Sequence, residues 1–110
     1  MSLIFNGREI LTDSEGFLVN SSDWSEDLMR QMAQADGIIL DDRHLLIIAK
    51  VREYYQNYAT TPAIRVLIQF LKVSGHQELA SSLVLARLFP DGAAKSAAKY
   101  AGLPKPVKCV

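Results

Sequence analysis

Short apolar clusters open the chain, and beyond them apolar residues recur every three to four positions, the spacing of a helix face. Leu3-Ile4-Phe5 and Glu9-Ile10-Leu11 flank Asn6-Gly7, a dipeptide suited to the positive φ angles of a tight turn, which predicts a β-hairpin. Asp13 to Gly16 reads as a polar turn, and Phe17-Leu18-Val19 as one more short extended piece. Ser22 or Asp23 then caps a helix to Ala35, with Trp24, Leu28, Met32 and Ala35 on one face and Gly37 as its stop. A second helix starts near Asp41 or Asp42, whose carboxylates suit the positive end of a helix dipole. It ends near Tyr58 and aligns Ile47, Val51, Tyr54, Tyr55 and Tyr58.

Thr61 is expected to cap a third helix, with Pro62 in the first turn, Ile64, Leu67, Ile68 and Leu71 as the repeat, and Gly75 at the end. A fourth is predicted from Gln77 to Leu88 with Leu79, Leu83 and Ala86 inward, broken by Phe89-Pro90. A short fifth covers Ala93 to Ala101, turning Ala93, Ala97, Tyr100 and Ala101 to the core and Lys95 and Lys99 outward. After Gly102 the repeat stops. Leu103 to Val110 contains two prolines and should form an extended arm, giving a globular domain over residues 1–102 and an arm over 103–110. The fold class is therefore mainly α (α+β).

The chain has 110 residues, 49% hydrophobic and 22% charged, and a single cysteine. A disordered tail would need fewer apolar residues, and a disulfide scaffold more cysteines. Apolar runs such as Leu45 to Ala49 fall far short of the roughly 20 residues that span a bilayer. The start lacks a basic region followed by an apolar block, so no membrane and a cytoplasmic location are expected. Net charge is zero, yet residues 1–42 hold nine acids and two bases while residues 43–110 hold ten bases and three acids. Formal charges of −7 and +7 mean either complementary faces within the fold or a basic surface for an acidic partner.

Candidate chemistry is sparse. There is no glycine-rich phosphate loop and no dinucleotide fingerprint. His44 and His76 stand alone without a second ligand at metal spacing, so neither a metal nor a cofactor is expected. Asp41-Asp42 reads as a capping pair more readily than as an acid/base pair. Tyr54, Tyr55 and Tyr58 read as core and rim packing more readily than as a platform for bases. The short turn between helices two and three invites a helix-turn-helix reading, but Arg65, Gln69 and Lys72 are the only long polar residues between Pro62 and Ser74. Cys109 differs, because it lies one residue from the end, outside any helical stripe. Lys95, Lys99, Lys105 and Lys108 supply positive charge that favours thiolate, opposed by the terminal carboxylate of Val110. A thiolate attacks sulfur electrophiles and can hold a sulfane sulfur as a persulfide; an incidental terminal cysteine is the other reading.

Leu88-Phe89-Pro90-Asp91-Gly92, Lys95, Lys99 and Ala101-Gly102-Leu103-Pro104-Lys105-Pro106-Val107-Lys108-Cys109 resemble the C-terminal signature of the TusE and DsrC family of bacterial sulfur-relay proteins. Ile4-Phe5-Asn6-Gly7, Gly16-Phe17-Leu18, Trp24 and Thr61-Pro62-Ala63-Ile64-Arg65 extend the resemblance over essentially the whole chain. It implies a small orthogonal helical bundle with an N-terminal hairpin and a mobile C-terminal arm, and a penultimate cysteine, Cys109, that carries sulfur as a persulfide. In the TusE branch, sulfur arrives from a TusBCD-like donor complex and passes to a tRNA 2-thiouridylase that thiolates wobble uridine, so tRNA is an indirect partner. That implies a sulfurtransferase acting as a protein persulfide carrier, without small-molecule turnover of its own. In the DsrC branch, the protein serves dissimilatory sulfite reductase and has a second cysteine eleven positions before the penultimate one. Here that position is Ala98, which favours the TusE branch. Ala93 and Lys108 are milder departures from the family's usual Pro and Gly. Arg65 matches a position near the arm and, with Lys105 and Lys108, is assigned arm docking or thiolate stabilisation; a plain surface or salt-bridge arginine is the other reading for Arg65.

Overall fold

The computed structural model describes residues 1–106. Strand β1 (Ser2–Phe5) pairs antiparallel with β2 (Arg8–Leu11), Ser2 opposite Leu11 and Phe5 opposite Arg8. The turn is made by Asn6 (φ 51°) and Gly7 (φ 75°), the successive positive φ angles that match a two-residue hairpin to the strand twist. Leu3 lies opposite Ile10 and both turn to the core side, where Ile10 is buried. The expected third extended piece is reduced to one bridge between Thr12 and Leu18, which sets Phe17 into the core.

Five helices follow: α1 (Glu26–Ala35), α2 (Asp42–Tyr58), α3 (Ile64–Val73), α4 (Ser82–Leu88) and α5 (Ala93–Tyr100). Hairpin and helices bear out the mainly α class. The first helix starts later than its sequence predicts. Ser25 is its cap, the hydroxyl accepting from the Leu28 N–H at 3.1 Å, while Ser21–Asp23 form a separate 3-10 turn. Trp24 is thereby released from the helix face, and the buried positions are Leu28, Met29, Met32 and Ala33, with Ala35 exposed. Helix α2 begins as expected: Asp41 Oδ1 accepts from the N–H groups of Arg43 (2.9 Å) and His44 (3.2 Å). His44 is buried. Its Nε2–H donates to the Leu88 carbonyl at 2.8 Å and its Nδ1 accepts from the Asp41 N–H at 3.1 Å, tying the start of α2 to the end of α4.

Helices α3 and α4 correct two expectations. Thr61 does not cap α3; Ala63 occupies that position without a side-chain bond, and Thr61 is used elsewhere. Turn bonds from Leu79 to His76 and from Ala80 to Gln77 delay α4 to Ser82. This break resets the helical phase, so Leu85 and Leu88 are buried while Leu83 is 60% exposed and Ala86 also faces solvent. Helix α5 keeps the predicted face, with Ala93, Ala97, Tyr100 and Ala101 all buried. It packs against each of the other four helices, and the small side chains of Ala97 and Ala98 let it pass through the centre. Among the described residues, ion pairs join the acidic and basic parts of the chain: Lys95 and Lys105 on Glu15, Lys99 on Asp36, and Arg43 on Asp41. Among the described residues no helix is long and apolar enough to cross a membrane.

Candidate functional site at the root of the arm

Helix α5 ends in a turn that leads straight into the arm. A helix end leaves carbonyls without intrahelical partners. Here Gly102 (φ 73°) adopts the left-handed conformation, its N–H donating to the Lys99 carbonyl at 3.2 Å and the Leu103 N–H to the Ala98 carbonyl at 3.0 Å. Side chains take the next two carbonyls. Trp24 Nε1 donates to Tyr100 at 2.7 Å, and an Arg52 guanidinium N–H from α2 donates to Ala101 at 2.7 Å. Arg52 also lies 3.7 Å from the centroid of the Trp24 ring, a cation–π stack. Burial draws its pKa below the ordinary guanidinium value without removing the charge. A Cβ on Gly102 would sit 2.7–2.9 Å from Cδ1, Cβ and Cγ of Trp24, so the glycine serves both backbone angle and close approach.

The first arm residues are fastened as well. Leu103 is 7% exposed and joins the core. The Pro104 carbonyl accepts from Thr61 Oγ1 at 2.9 Å, which is the use found for the expected cap residue. Lys105 Nζ pairs with Glu15 and lies 5.8 Å from the Phe17 ring centroid, while Lys95 reaches the same carboxylate at 3.0 Å. Hydrogen bonds from Lys105 and then Lys95 hold the Glu15 carboxyl below its usual range. At the end of α5, the Tyr100 hydroxyl donates to Asp36 at 2.7 Å and Lys99 to the same oxygen at 2.9 Å. Burial works to raise the Asp36 pKa, but the bonds from Lys99 and Tyr100 outweigh it and the carboxyl stays low. Burial first, and Asp36 second, push the Tyr100 phenol up.

Beside the fastened segment lies a hollow of about 750 Å³, walled by Phe17, Leu18, Arg52 and Tyr55 together with Gly102–Lys105. Its charged lining is Arg52, Lys105 and Asp13, two cations to one carboxylate, at the point where the chain continues toward its sole thiol. The arrangement can orient the departing chain and present positive charge beside it. Cys109 and Lys108, both assigned from sequence, lie outside the described residues. Lys105 is at the hollow. Arg65 is exposed on α3 and lines a different groove with Tyr54, Tyr58 and Val66, so the described residues do not bring Arg65 and Lys105 together. Sequence reasoning missed Arg52, the fastening role of Thr61, and Glu15. The signal for Arg52 was weak, one of three cations on α2 and 49 residues before the Ala101 carbonyl that it reaches; for Glu15 it was the acid surplus of the N-terminal part.

Comparison with known proteins places this geometry. The family model described as "DsrC like protein" matches residues 4–110. The sulfurtransferase TusE of Escherichia coli strain K12 is 48% identical over 108 residues, 98% of this chain and 99% of that protein. The sulfurtransferase TusE of Sodalis glossinidius is 47% identical over 106 residues, 96% and 98% of the two chains. Among solved structures, DsrC of Allochromatium vinosum superposes with a TM-score of 0.88 at 39% identity, and the oxidized gamma-subunit of dissimilatory sulfite reductase (DsrC) of Archaeoglobus fulgidus with 0.83 at 30%, each covering both chains completely. With its hairpin, its five helices and a C-terminal signature that runs through the fastened root, the chain belongs to the DsrC-like family.

Proposed function

We propose that this protein is a persulfide carrier of the TusE type, holding sulfane sulfur on Cys109 and delivering it for thiolation of wobble uridine in tRNA. Nearly full-length similarity to sulfurtransferases and to DsrC structures supports a sulfur-carrier role. The observation that carries the finer reading is the rigid root: Gly102–Lys105 is fixed by Trp24, Arg52, Thr61 and Glu15, while the only cysteine lies four residues beyond Lys105. Four residues reach at most about 13–14 Å, so fixing the root confines the thiol to a small volume around a known origin. Ala98 in place of a second cysteine leaves no internal partner for the sulfur, which favours relay between proteins over the sulfite-reductase role.

In the proposed step, the Cys109 thiolate attacks the outer sulfur of a cysteine persulfide on a TusBCD-like donor. The new S–S bond forms as the donor's S–S bond breaks, the donor leaves as a thiolate, and no net electrons are exchanged. The same exchange in reverse sense loads a thiol of the tRNA 2-thiouridylase. Lys105 and Lys108 favour thiolate and draw the arm to acidic surfaces, and the setting is cytoplasmic. Residues 1–102, with Leu103–Lys105 fastened to them, act as the globular domain, and the rest of the arm carries the cargo. The test is a reconstituted relay of desulfurase, donor complex, this protein, thiouridylase and tRNA, read as 2-thiouridine by mass spectrometry of digested tRNA. Cys109→Ser should keep the wild-type melting curve and yield no 2-thiouridine above the level without carrier. Full thiolation by the serine variant would overturn the reading.

A further inference from the structure

Between α2 and α3 runs an apolar groove that neither the core nor the arm root uses. It encloses about 350 Å³ between Tyr54 and Tyr58 on one side and Val66, Phe70 and Val73 on the other. Folding does not require these residues to face outward together. Leu67 and Leu71 already supply the buried side of α3, yet Tyr58 is 59%, Val66 40% and Val73 69% exposed. Contiguous exposed apolar surface of this kind marks an interaction site. On α2, Lys50 stands 5.9 Å from the Phe70 ring centroid with Glu53 bonded to it. Arg65 is the charged residue that lines the groove, and Lys72 lies seven residues further along the same helix; both are exposed and α3 contains no acid. Seven residues put the two cations about 10.5 Å apart along the helix axis, two turns of a facing helix. Along the chain, Thr61, which holds Pro104, lies three residues before α3 and four before Arg65, so the segment that fastens the arm root leads into the groove's helix.

We infer that this groove docks an acidic amphipathic segment of a protein relay partner. Its apolar side chains fill the space between Tyr58, Val66 and Val73, and two carboxylates two turns apart meet Arg65 and Lys72. The inference rests on the carrier reading and adds the surface that sets a partner beside the arm. Nucleic acid fits the groove poorly. Tyr54 packs on Tyr58 (centroids 4.6 Å) and edge-on to Phe70 (5.3 Å), which leaves no slot between rings for a base. Valines line the rim, and Arg65 alone among the lining residues carries positive charge, short of the cation density that holds a phosphate backbone.

The test places a photoreactive benzoylphenylalanine at Val73 and irradiates the full chain with the purified donor complex, and separately with the purified thiouridylase and tRNA. The expected crosslink falls in one of these proteins, in a segment carrying two acids about two turns apart. Arg65→Glu with Lys72→Glu should weaken that complex about tenfold at low salt and less at high salt, and changing the two partner acids to Lys should restore it. Crosslinks only to tRNA or to a second copy of this chain, an absence of crosslinks, or unchanged affinity in the double variant would overturn the inference. So would a signal that disappears when residues 107–110 are deleted from the free protein, which would identify its own tail as the occupant. Persulfide on Cys109, measured by cyanolysis in the same samples, separates the two claims: persulfide present with affinity unchanged sinks the groove alone, while persulfide absent from the unmodified chain sinks the carrier reading.

Discussion

Two glycines of this protein make a matched pair. Gly37 follows α1 and Gly102 follows α5, both at left-handed φ (80° and 73°), and in each the following N–H returns to a helix carbonyl, Ile38 to Ala33 and Leu103 to Ala98. They differ in their surroundings. A Cβ at Gly37 meets nothing within 4 Å, whereas at Gly102 it would meet three atoms of Trp24 at 2.7–2.9 Å. Gly37→Ala should therefore cost only the left-handed strain, about 1–2 kcal/mol. Gly102→Ala adds displacement of a packed indole, about 1–3 kcal/mol more, because Trp24 is held by its bond to Tyr100 and by Arg52 stacked on its face. At this chain length the difference between the variants corresponds to about 4–12 °C in melting temperature. Trp24 is the only tryptophan, so its fluorescence reports the same event locally. Gly102→Ala should shift native-state emission and accelerate hydrogen exchange at Leu103, and Gly37→Ala should do neither. Equal destabilisation by the two alanines, with native emission unchanged in both, would refute the claim that the indole packs against the arm root.

Thr61→Val keeps shape and removes the bond to Pro104; it should cost about 0.5–1.5 kcal/mol and reduce sulfur transfer more than stability, seen as faster exchange at the Leu103 N–H, which is bonded to the Ala98 carbonyl, and a lower 2-thiouridine yield. Tyr100→Phe should lose about 1–2 kcal/mol at neutral pH, because a hydrogen bond to a carboxylate is removed. It should also flatten both ends of the pH–stability curve measured by urea titration. The depressed Asp36 pKa gives stability that is complete above the ordinary value of 3.8 and lost as pH falls below it, and the raised Tyr100 pKa gives stability complete below 10.0 and lost as pH climbs through the folded value. An unchanged curve would show that the pair contributes nothing to the balance.

Most of the architecture was legible because local signals agreed. Asn6-Gly7 fixed the hairpin, Asp41 the start of α2, and the alanine spacing of α5 its buried face. The misses share a cause, competition for a polar side chain or a backbone break that local pattern does not record. Ser22 and Asp23 looked as capable as Ser25 of capping α1, and the choice among them fell to packing, which sends Trp24 to the far end of the chain. Thr61 had the chemistry of a cap and was recruited by Pro104, 43 residues away. The break at Ala80-Ser81 rotated α4 and turned Leu83 outward. For the site, sequence supplied the thiol and Lys105, whereas Arg52, Thr61 and Glu15 act through contacts that exist only after α5 has threaded the bundle.

The central claim is that sulfur resides on Cys109, and intact-mass and peptide mass spectrometry test it most directly. After incubation with a cysteine desulfurase, cysteine and the donor complex, the C-terminal peptide should gain about 32 Da, one sulfur atom, reversible by a thiol reductant and absent in Cys109→Ser. A C-terminal peptide that stays at its unmodified mass while the donor complex is itself fully persulfidated would contradict the account.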